Sequence, residues 1–469
     1  MIDQETREAI ADLWKQVAEP ASASTLPASL TVSGRRGHLP AHHAVEVAAT
    51  AAISVALLAA AAIDLVRGMN PPDIEIDRSH VAAAMRSGAV FRWKGRPLAL
   101  DFAPLSRFWE VQDGWIRTHA NYPWHRDALL RVLGLDSESE TEVASSMRRW
   151  SAKDLETAVC DAGGVAAAFG SPKDWLAHPQ AASLRKEPLI GRLNASAASP
   201  RPLPRATLLG QGLRVLDLTR VIAGPVCTRY LGALGASVLR IDPPDWPDLP
   251  RDLPADTLLG KRSATVDFRD KAGQVVLEGL LSEADIVVLG YRPGALDRFG
   301  LSWQSLGTRF PGLVIVVLNA WGHDGPWKTR RGFDSIVQAA TGIAWIEGGG
   351  SGKPGTLPCQ LLDHATGYLA AAAALDGIFE QRTQGGTPVR RLSLARTAQW
   401  LMRLPKNSEP GAPKPQNRIE EWMIDLPDAR GIQRFLSPVG RWNGQPLQWS
   451  HGAAYYGSDS PKWQQPCRG

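Results

Sequence analysis

One acidic residue stands where an apolar run meets an alanine-rich stretch, in Leu361-Leu362-Asp363-His364-Ala365-Thr366-Gly367-Tyr368. A carboxylate at a helix start is ordinarily a plain cap for free backbone N–H groups. The same position also suits a carboxylate nucleophile. Free N–H groups there would keep Asp363 ionised and stabilise an oxyanion. Position alone leaves both readings open. His364 could act as a base beside it, or could pack or cap the helix. Upstream lie Arg330-Arg331-Gly332-Phe333-Asp334-Ser335 and a glycine run, Gly348–Gly350.

A second set of residues suits polyanion binding. Thr219-Arg220-Val221-Ile222-Ala223-Gly224-Pro225 follows an apolar strand. Gly-Pro makes a sharp turn and preorganises a first helical turn, whose free N–H groups can receive a phosphate. The G-x-G-x-x-G dinucleotide fingerprint is absent after this strand, which removes most support for NAD chemistry. Three further clusters sit near strand ends: Gly260-Lys261-Arg262-Ser263, Val266-Asp267-Phe268-Arg269 and Tyr291-Arg292-Pro293-Gly294-Ala295-Leu296-Asp297-Arg298. Cations with an aromatic suit phosphates and an adenine ring. Singly, each arginine is an ordinary solvated charge.

The elements that must position these residues follow from periodicity. Short apolar segments at 213–218, 237–241, 264–268, 285–289 and 313–318 read as strands, with helices at 226–234 and 272–281. That alternation predicts an α/β fold with a parallel sheet covered on both faces, and ligands beyond the carboxyl ends of its strands. Before it, residues 1–40 read as an amphipathic helix and a loose stretch. Residues 44–68 read as a long helix and 73–77 as a short strand before another helix. The aromatic runs around Gln112-Asp113-Gly114 read as a hairpin. Residues 150–180 read as helix, glycine turn and helix, and 195–204 as a linker. The alanine-rich helices at 44 and 364 each lead to a strand-like segment, Ile74–Ser79 and Arg391–Ser393. That is a weak internal repeat or an accident of composition, and the first copy has no carboxylate where Asp363 would fall.

Composition bounds the function. The chain has 469 residues, 44% hydrophobic and 21% charged, enough for two or three domains with sizeable cores. A net charge of +5 is a mild excess, and no Lys/Arg block with interleaved aromatics argues for nucleic acid. Cys160, Cys227, Cys359 and Cys467 form no CxxC pair, so neither a metal cluster nor a disulfide framework is expected. A reducing, cytoplasmic setting is the default. The charged N-terminus does not read as a signal peptide. The stretch 44–66 has the length of a membrane span, but its weakly apolar alanines with Glu46 and Asp64 favour a buried packing helix. No membrane partner is expected.

Taken together, residues 213–400 resemble the family III CoA-transferases (the CaiB/BaiF family). The carrying motifs are LDLTRVIAGPVCTRYLGALGASVLRID, GKRSATVDFRDKAG, ADIVVLGYRPGALDRFGL, RRGFDSIVQAATG and LDHATGYLAAA. The resemblance implies a Rossmann-like parallel sheet domain, a smaller α+β lid domain and an interlocked homodimer. By it, Asp363 matches the nucleophilic aspartate. Val221 and Ile222 match main-chain neighbours of the CoA adenine and phosphates, and Val266 and Arg269 the adenine-side contacts. Tyr291 and Arg298 match an aromatic and an arginine at the CoA. Arg331 matches a basic residue near the diphosphate or pantetheine, and Asp334 an acid close to the active centre. Gly290 stands where many members have Asn, and Pro243 where an Arg often contacts the nucleotide. The only rich glycine run precedes the aspartate instead of following it.

The order of parts is also unusual. Residues 107–180 resemble the family's small lid domain, placed before the nucleotide-binding part. The tail 437–463 resembles its C-terminal return segment. The implied organisation is an N-terminal helical segment (1–90), a lid-like domain (91–200), a Rossmann-like CoA-binding and catalytic domain (205–405) and a return segment (406–469).

The implied activity is CoA transfer between carboxylic acids, with CoA and carboxylic acid substrates and no cofactor or metal beyond the CoA thioester. Racemisation of an α-methylacyl-CoA needs acid–base groups on both faces of the α-carbon. The racemase branch has a His where Phe333 stands, and Phe333 moves no proton. A CoA-binding protein without turnover is the third reading. Substrate selection would fall to lid residues such as Trp109, Trp115, His119 and Trp124, which could equally be core.

Overall fold

The computed structural model describes residues 2–18, 26–98, 102–203, 210–407, 410–411 and 418–464. Cys467 and Pro204 lie outside the described residues.

Alanine, the strongest helix former, is the commonest residue of two long segments that fold as helices. These form the centre of the molecule. The first part of the chain carries α1 (Gln4–Val17), β1 (Ser29–Ser33), α2 (Val45–Val66), β2 (Asp73–Asp77) and α3 (Arg78–Ala84). The lid-like part contributes β3 (Phe108–Val111), β4 (Gly114–Thr118), α4 (Pro123–Leu133) and β5 (Ala166–Ala168), followed by β6 (Gly191–Asn194). Next come β7 (Arg214–Leu218), α5 (Ala223–Ala233), β8 (Ser237–Asp242), β9 (Arg262–Thr265), β10 (Ile286–Leu289) and β11 (Val314–Asn319). The last section has α6 (Asp334–Thr341), α7 (Leu361–Thr383), β12 (Pro388–Ser393), α8 (Leu394–Leu401) and β13 (Arg441–Trp442).

The main sheet has seven strands in the order β9-β8-β7-β10-β11-β12-β6. All neighbours are parallel except β6, which runs antiparallel to β12. Strands such as β10, Ile286-Val287-Val288-Leu289, are buried along their whole length, as a sheet covered on both faces requires.

The α2 helix is long and apolar enough to cross a membrane. In this fold it is buried instead, with α7 as its most extensive partner. Small alanine side chains let the two backbones approach, so residues from Ala9 to Leu447 share one core.

Several expectations need correction. The third predicted strand sits earlier, at Arg262–Thr265, because Asp270 caps the next helix through Gly273 N–H and the residues between must turn. The glycine turn in 150–180 leads into β5, an alanine strand that pairing with β4 holds extended against its helical propensity. The supposed linker is tied down at its described end. Ser196 Oγ donates to Gly307 O at 2.7 Å, and Arg201 Nη2 to Pro311 O at 2.7 Å. A short antiparallel pair, Pro254–Leu259 with Ala453–Tyr455, went unpredicted because its halves are far apart in sequence.

Candidate active site

Asp363 is the third residue of α7 and only 6% exposed. Its backbone N–H donates to Asp334 Oδ2 at 3.0 Å. Asp334, the first residue of α6, also accepts from Gln338 Nε2, and Gln338 Oε1 accepts from Leu357 N–H at 3.0 Å. The carboxyl of Asp363 receives no hydrogen bond among the described residues and lines a cleft of about 230 Å³.

This geometry corrects the expected charge state. The helix-start N–H groups were to keep Asp363 ionised, yet those of Leu362 and Asp363 serve Asp334 instead. Burial, then the neighbouring Asp334, pushes the Asp363 carboxyl well above the carboxylate range. Burial likewise pushes Asp334 up to about 6, against the hydrogen bonds it accepts. Two adjacent buried carboxyls resist ionising together.

One wall is the turn between β7 and α5. Val221 there has φ 68°, a left-handed conformation that a β-branched residue rarely adopts. Such strain persists only where surroundings over-determine it. Asp217 is one such restraint. It is fully buried and accepts from Thr219 N–H at 3.0 Å, Thr228 Oγ1 at 2.6 Å and Lys261 Nζ at 2.9 Å. Burial alone would raise its pKa, but Lys261, Arg240 and the threonine hydroxyls outweigh that and hold it low. Asp248 is another restraint, accepting the Val221 N–H at 3.3 Å. Gly224 is required at this junction, since a Cβ there would lie 2.3 Å from Thr219 Cβ. Gly290 has the same neighbour: its Cβ would meet Thr219 Cβ at 2.9 Å. Thr219 thus fills the space that an asparagine at 290 would need.

The cleft is also lined by Arg220, Tyr291, Arg292, Arg330 and Arg331. Arg330 is tied to the lid through Glu156 at 2.7 Å. Arg292 and Arg331 have no carboxylate partner among the described residues. Burial and then the like charge of Arg292 lower the pKa of Arg331.

The start of α4 supplies Tyr122, Trp124 and His125. Phe333 meets them from the other side. His119 stacks on it at 3.8 Å between ring centroids, and His125 lies edge-on at 5.9 Å. Burial is the main cause that pushes His119 down to about 3 and His125 to about 4, so both rings are neutral near pH 7.

The structure brings Val221, Tyr291, Arg331, Phe333 and Asp363 to one cleft, with Asp334 directly behind Asp363. The Ile222 side chain packs against the core, while its expected role is a main-chain one. Val266 is buried in the core beneath the sheet, and Arg269 is exposed and paired with Asp267 and Asp245. Arg298 lies over Phe299 away from the cleft. His364 is buried outside the cleft, and burial pushes it to about 3. Among the lid residues, Trp124 lines the cleft and His119 backs Phe333, while Trp109 is lid core and bonds Thr118 Oγ1 at 3.0 Å. Trp115 is also outside the lining. Tyr122, His125, Arg220 and Arg292 were not singled out as site residues. Arg220 and Arg292 flank chosen residues, and Tyr122 and His125 flank Trp124, which was the only signal available for them.

Residues 211–421 match the sequence model of CoA-transferase family III. An acyl-CoA transferase of Gibberella moniliformis is 30% identical over 58% of this chain and 52% of its own length. The succinyl-CoA–D-citramalate CoA-transferase of Chloroflexus aurantiacus is 31% identical over 41% of this chain and 48% of its own. The crystal structure of the hypothetical protein Rv3272 from Mycobacterium tuberculosis is 32% identical, covering 42% of this chain and 58% of that one, with a TM-score of 0.39. The chain thus spans about half the length of the curated relatives it matches. Over residues 211–421 the chain is similar to CoA-transferase family III.

Proposed function

We propose that the protein transfers CoA between carboxylic acids, with Asp363 as the covalent nucleophile. The observation that carries this is the buried Asp363 carboxyl, free of any described hydrogen-bond partner, in a cleft that also presents the unpaired Arg292 and Arg331. A CoA thioester has matching parts: an electrophilic carbonyl and a string of phosphates.

Asp363, once ionised, attacks the donor thioester carbonyl. The C–S bond breaks, giving an acyl–aspartyl anhydride and CoA thiolate. The thiolate attacks the aspartyl carbonyl and expels the first acid as its carboxylate, leaving an aspartyl-CoA thioester. The acceptor carboxylate attacks that thioester, forming a second anhydride and releasing thiolate. Thiolate then attacks the acceptor's carbonyl, giving the new acyl-CoA and free Asp363. The sequence needs no cofactor or metal beyond the CoA thioester. Burial serves it by excluding water, which would hydrolyse either anhydride. Burial also raises the free energy of the carboxylate, so the attacking group is poorly solvated.

Two other readings are weaker. A racemase needs a proton-transfer group where Phe333 stands, and Phe333 carries none. The His119 ring stacked on it lies outside the cleft lining, and the one histidine among the described lining residues is His125, 5.9 Å from Phe333. A binding protein without turnover has no use for an unpaired buried carboxyl at the floor. Incubation with an acyl-CoA panel plus hydroxylamine tests the proposal. A hydroxamate at Asp363, lost in Asp363→Ala, supports it; CoA binding without any adduct supports the binding protein.

A further inference from the structure

The chain contains two units of one plan. In the first, β1, α2, β2 and α3 follow directly; in the second, β11, α7, β12 and α8 come in the same order, with α6 inserted between β11 and α7. Each unit's second strand pairs parallel with its first and antiparallel with a strand that belongs to neither unit, β13 (Arg441–Trp442) for the first and β6 (Gly191–Asn194) for the second. The helix entries agree in detail. The residue before α2, Ala44, has φ −76° and ψ 57°; the residue before α7, Gln360, has φ −77° and ψ 64°. In both, the first helical N–H reaches back two residues at 2.8 Å, Val45 to His43 O and Leu361 to Cys359 O. In both, the last strand residue caps the next helix: Asp77 accepts from Ser79 N–H and Ser393 from Arg396 N–H.

The two closing strands also match. One reads Ile190-Gly191-Arg192-Leu193-Asn194, the other Val439-Gly440-Arg441-Trp442-Asn443. Asn194 Oδ1 accepts Thr387 N–H at 2.8 Å, just before β12. Asn443 Oδ1 accepts Asp73 N–H at 2.9 Å, at the start of β2. The assignments are crossed. The strand that follows the first unit closes the second unit's sheet, and the strand that follows the second closes the first's. This is a strand exchange between two repeats within one chain, the arrangement that domain swapping makes between two chains.

The repeats differ where chemistry would happen. Asp363 is the third residue of α7, and Val47 is the third of α2. Beside Val47, Glu46 is turned into its own loop, accepting N–H groups of Gly37, His38 and Leu39 at 2.8, 2.5 and 2.8 Å. Glu347 takes the N–H groups of His42 and His43 at 3.1 and 3.0 Å, and His43 Nδ1 lies 2.6 Å from it. The carboxylates at this end are consumed internally. The lid between the two units, meanwhile, brings Tyr122, Trp124 and His125 to the cleft holding Asp363.

We infer that the chain is an internally fused pair with one silent and one working end, and that its own first half completes the Asp363 site without a second copy. This revises the homodimer that the family resemblance implies, and it rests on the proposed function for naming Asp363 as the reactive group.

Two experiments decide it. Asp363→Ala, with an intact lid, is co-expressed with the double variant Trp124→Ala/His125→Ala, which keeps Asp363. Completion within one chain gives hydroxylamine-trapped adduct no greater than the sum of the two variants alone. Recovery toward about a quarter of the wild-type level overturns it, because the lid would then be acting between chains. If the wild type forms no adduct with any acyl-CoA, the functional reading falls, and the second experiment decides the arrangement alone. Asp73→Cys/Asn443→Cys places two cysteines on opposed strand positions, within disulfide reach. Oxidised at low concentration, it should run at single-chain mass on a non-reducing denaturing gel, with single-variant controls. A two-chain band specific to the pair, or no crosslink, overturns the fused arrangement.

Discussion

The backbone N–H of Asp363 donates to a carboxylate oxygen of Asp334 at 3.0 Å, so the proposed nucleophile is held in place by a second buried acid. The contact orients the start of α7, and it also sets two carboxyls against each other. Ionising Asp363 next to an ionised Asp334 is costly in this environment, so the pair governs when the nucleophile is available.

Removing the like charge therefore makes the nucleophile easier to ionise. Asp334→Asn keeps a carbonyl oxygen for the Asp363 N–H. The acid limb of adduct formation against pH should move down by about one unit, a size typical of a neighbouring carboxylate. A limb that stays in place, with the variant folded, shows that Asp334 acts only as a cap.

Stability carries the same signature. Burial raises the Asp363 pKa above its ordinary 3.8. The folded protein then holds this proton more tightly than the unfolded chain, so the contribution is fullest below pH 3.8 and is lost as pH rises through the folded pKa. Asp363→Asn abolishes that loss. The variant should melt about 2 °C above wild type at neutral to alkaline pH, the shift that ~1 kcal/mol gives in a chain of this class, and match it near pH 4. Thermal melts across pH read this directly, and an Asn variant less stable at every pH contradicts it.

The Arg292 and Arg331 guanidiniums, without a carboxylate partner among the described residues, should act on CoA and not on the acid. Arg292→Ala and Arg331→Ala should each weaken binding of CoA by about tenfold, the low end for a lost hydrogen bond to a charged group. The loss should shrink as salt rises. Calorimetric titration with CoA at two salt concentrations checks this; unchanged affinity in both variants places the phosphates elsewhere.

Lys261 tests the framework beneath the strained turn. Its ammonium and the Asp217 carboxylate are both fully buried and 2.9 Å apart. Lys261→Met leaves Asp217 without its cation and should cost about 3–5 kcal/mol in urea unfolding. Adding Asp217→Asn should restore part of that, since the stranded charge is then gone. Equal instability of the single and double variants contradicts the pairing argument.

How much of this was legible in the sequence depended on distance along the chain. The long helices, the five parallel strands and the Gly-Pro turn are local patterns, and each formed within a few residues of its expected place. Asp363, Val221, Tyr291, Arg331 and Phe333 converge because they follow strands of one sheet or start helices packed on it. The approach of the lid-like part is expected through Trp124, but which of its neighbours face the cleft depends on how the start of α4 is turned, and that brings in Tyr122 and His125 as well. The charge of Asp363 was misjudged for a similar reason: a helix start advertises free N–H groups, and only the fold reveals that Asp334 has taken them. Val266, Arg269 and Arg298 sit close to the rim in sequence, yet side-chain direction sends them into the core or onto the surface.

The central claim is a covalent bond from an acyl group or CoA to Asp363. The most direct measurement is peptide mass spectrometry after incubation with a mixed acyl-CoA panel and hydroxylamine. The account predicts one hydroxamate per chain, on the peptide containing Asp363, and none in Asp363→Ala. Full occupancy by CoA with no modified Asp363 from any acyl-CoA would contradict it.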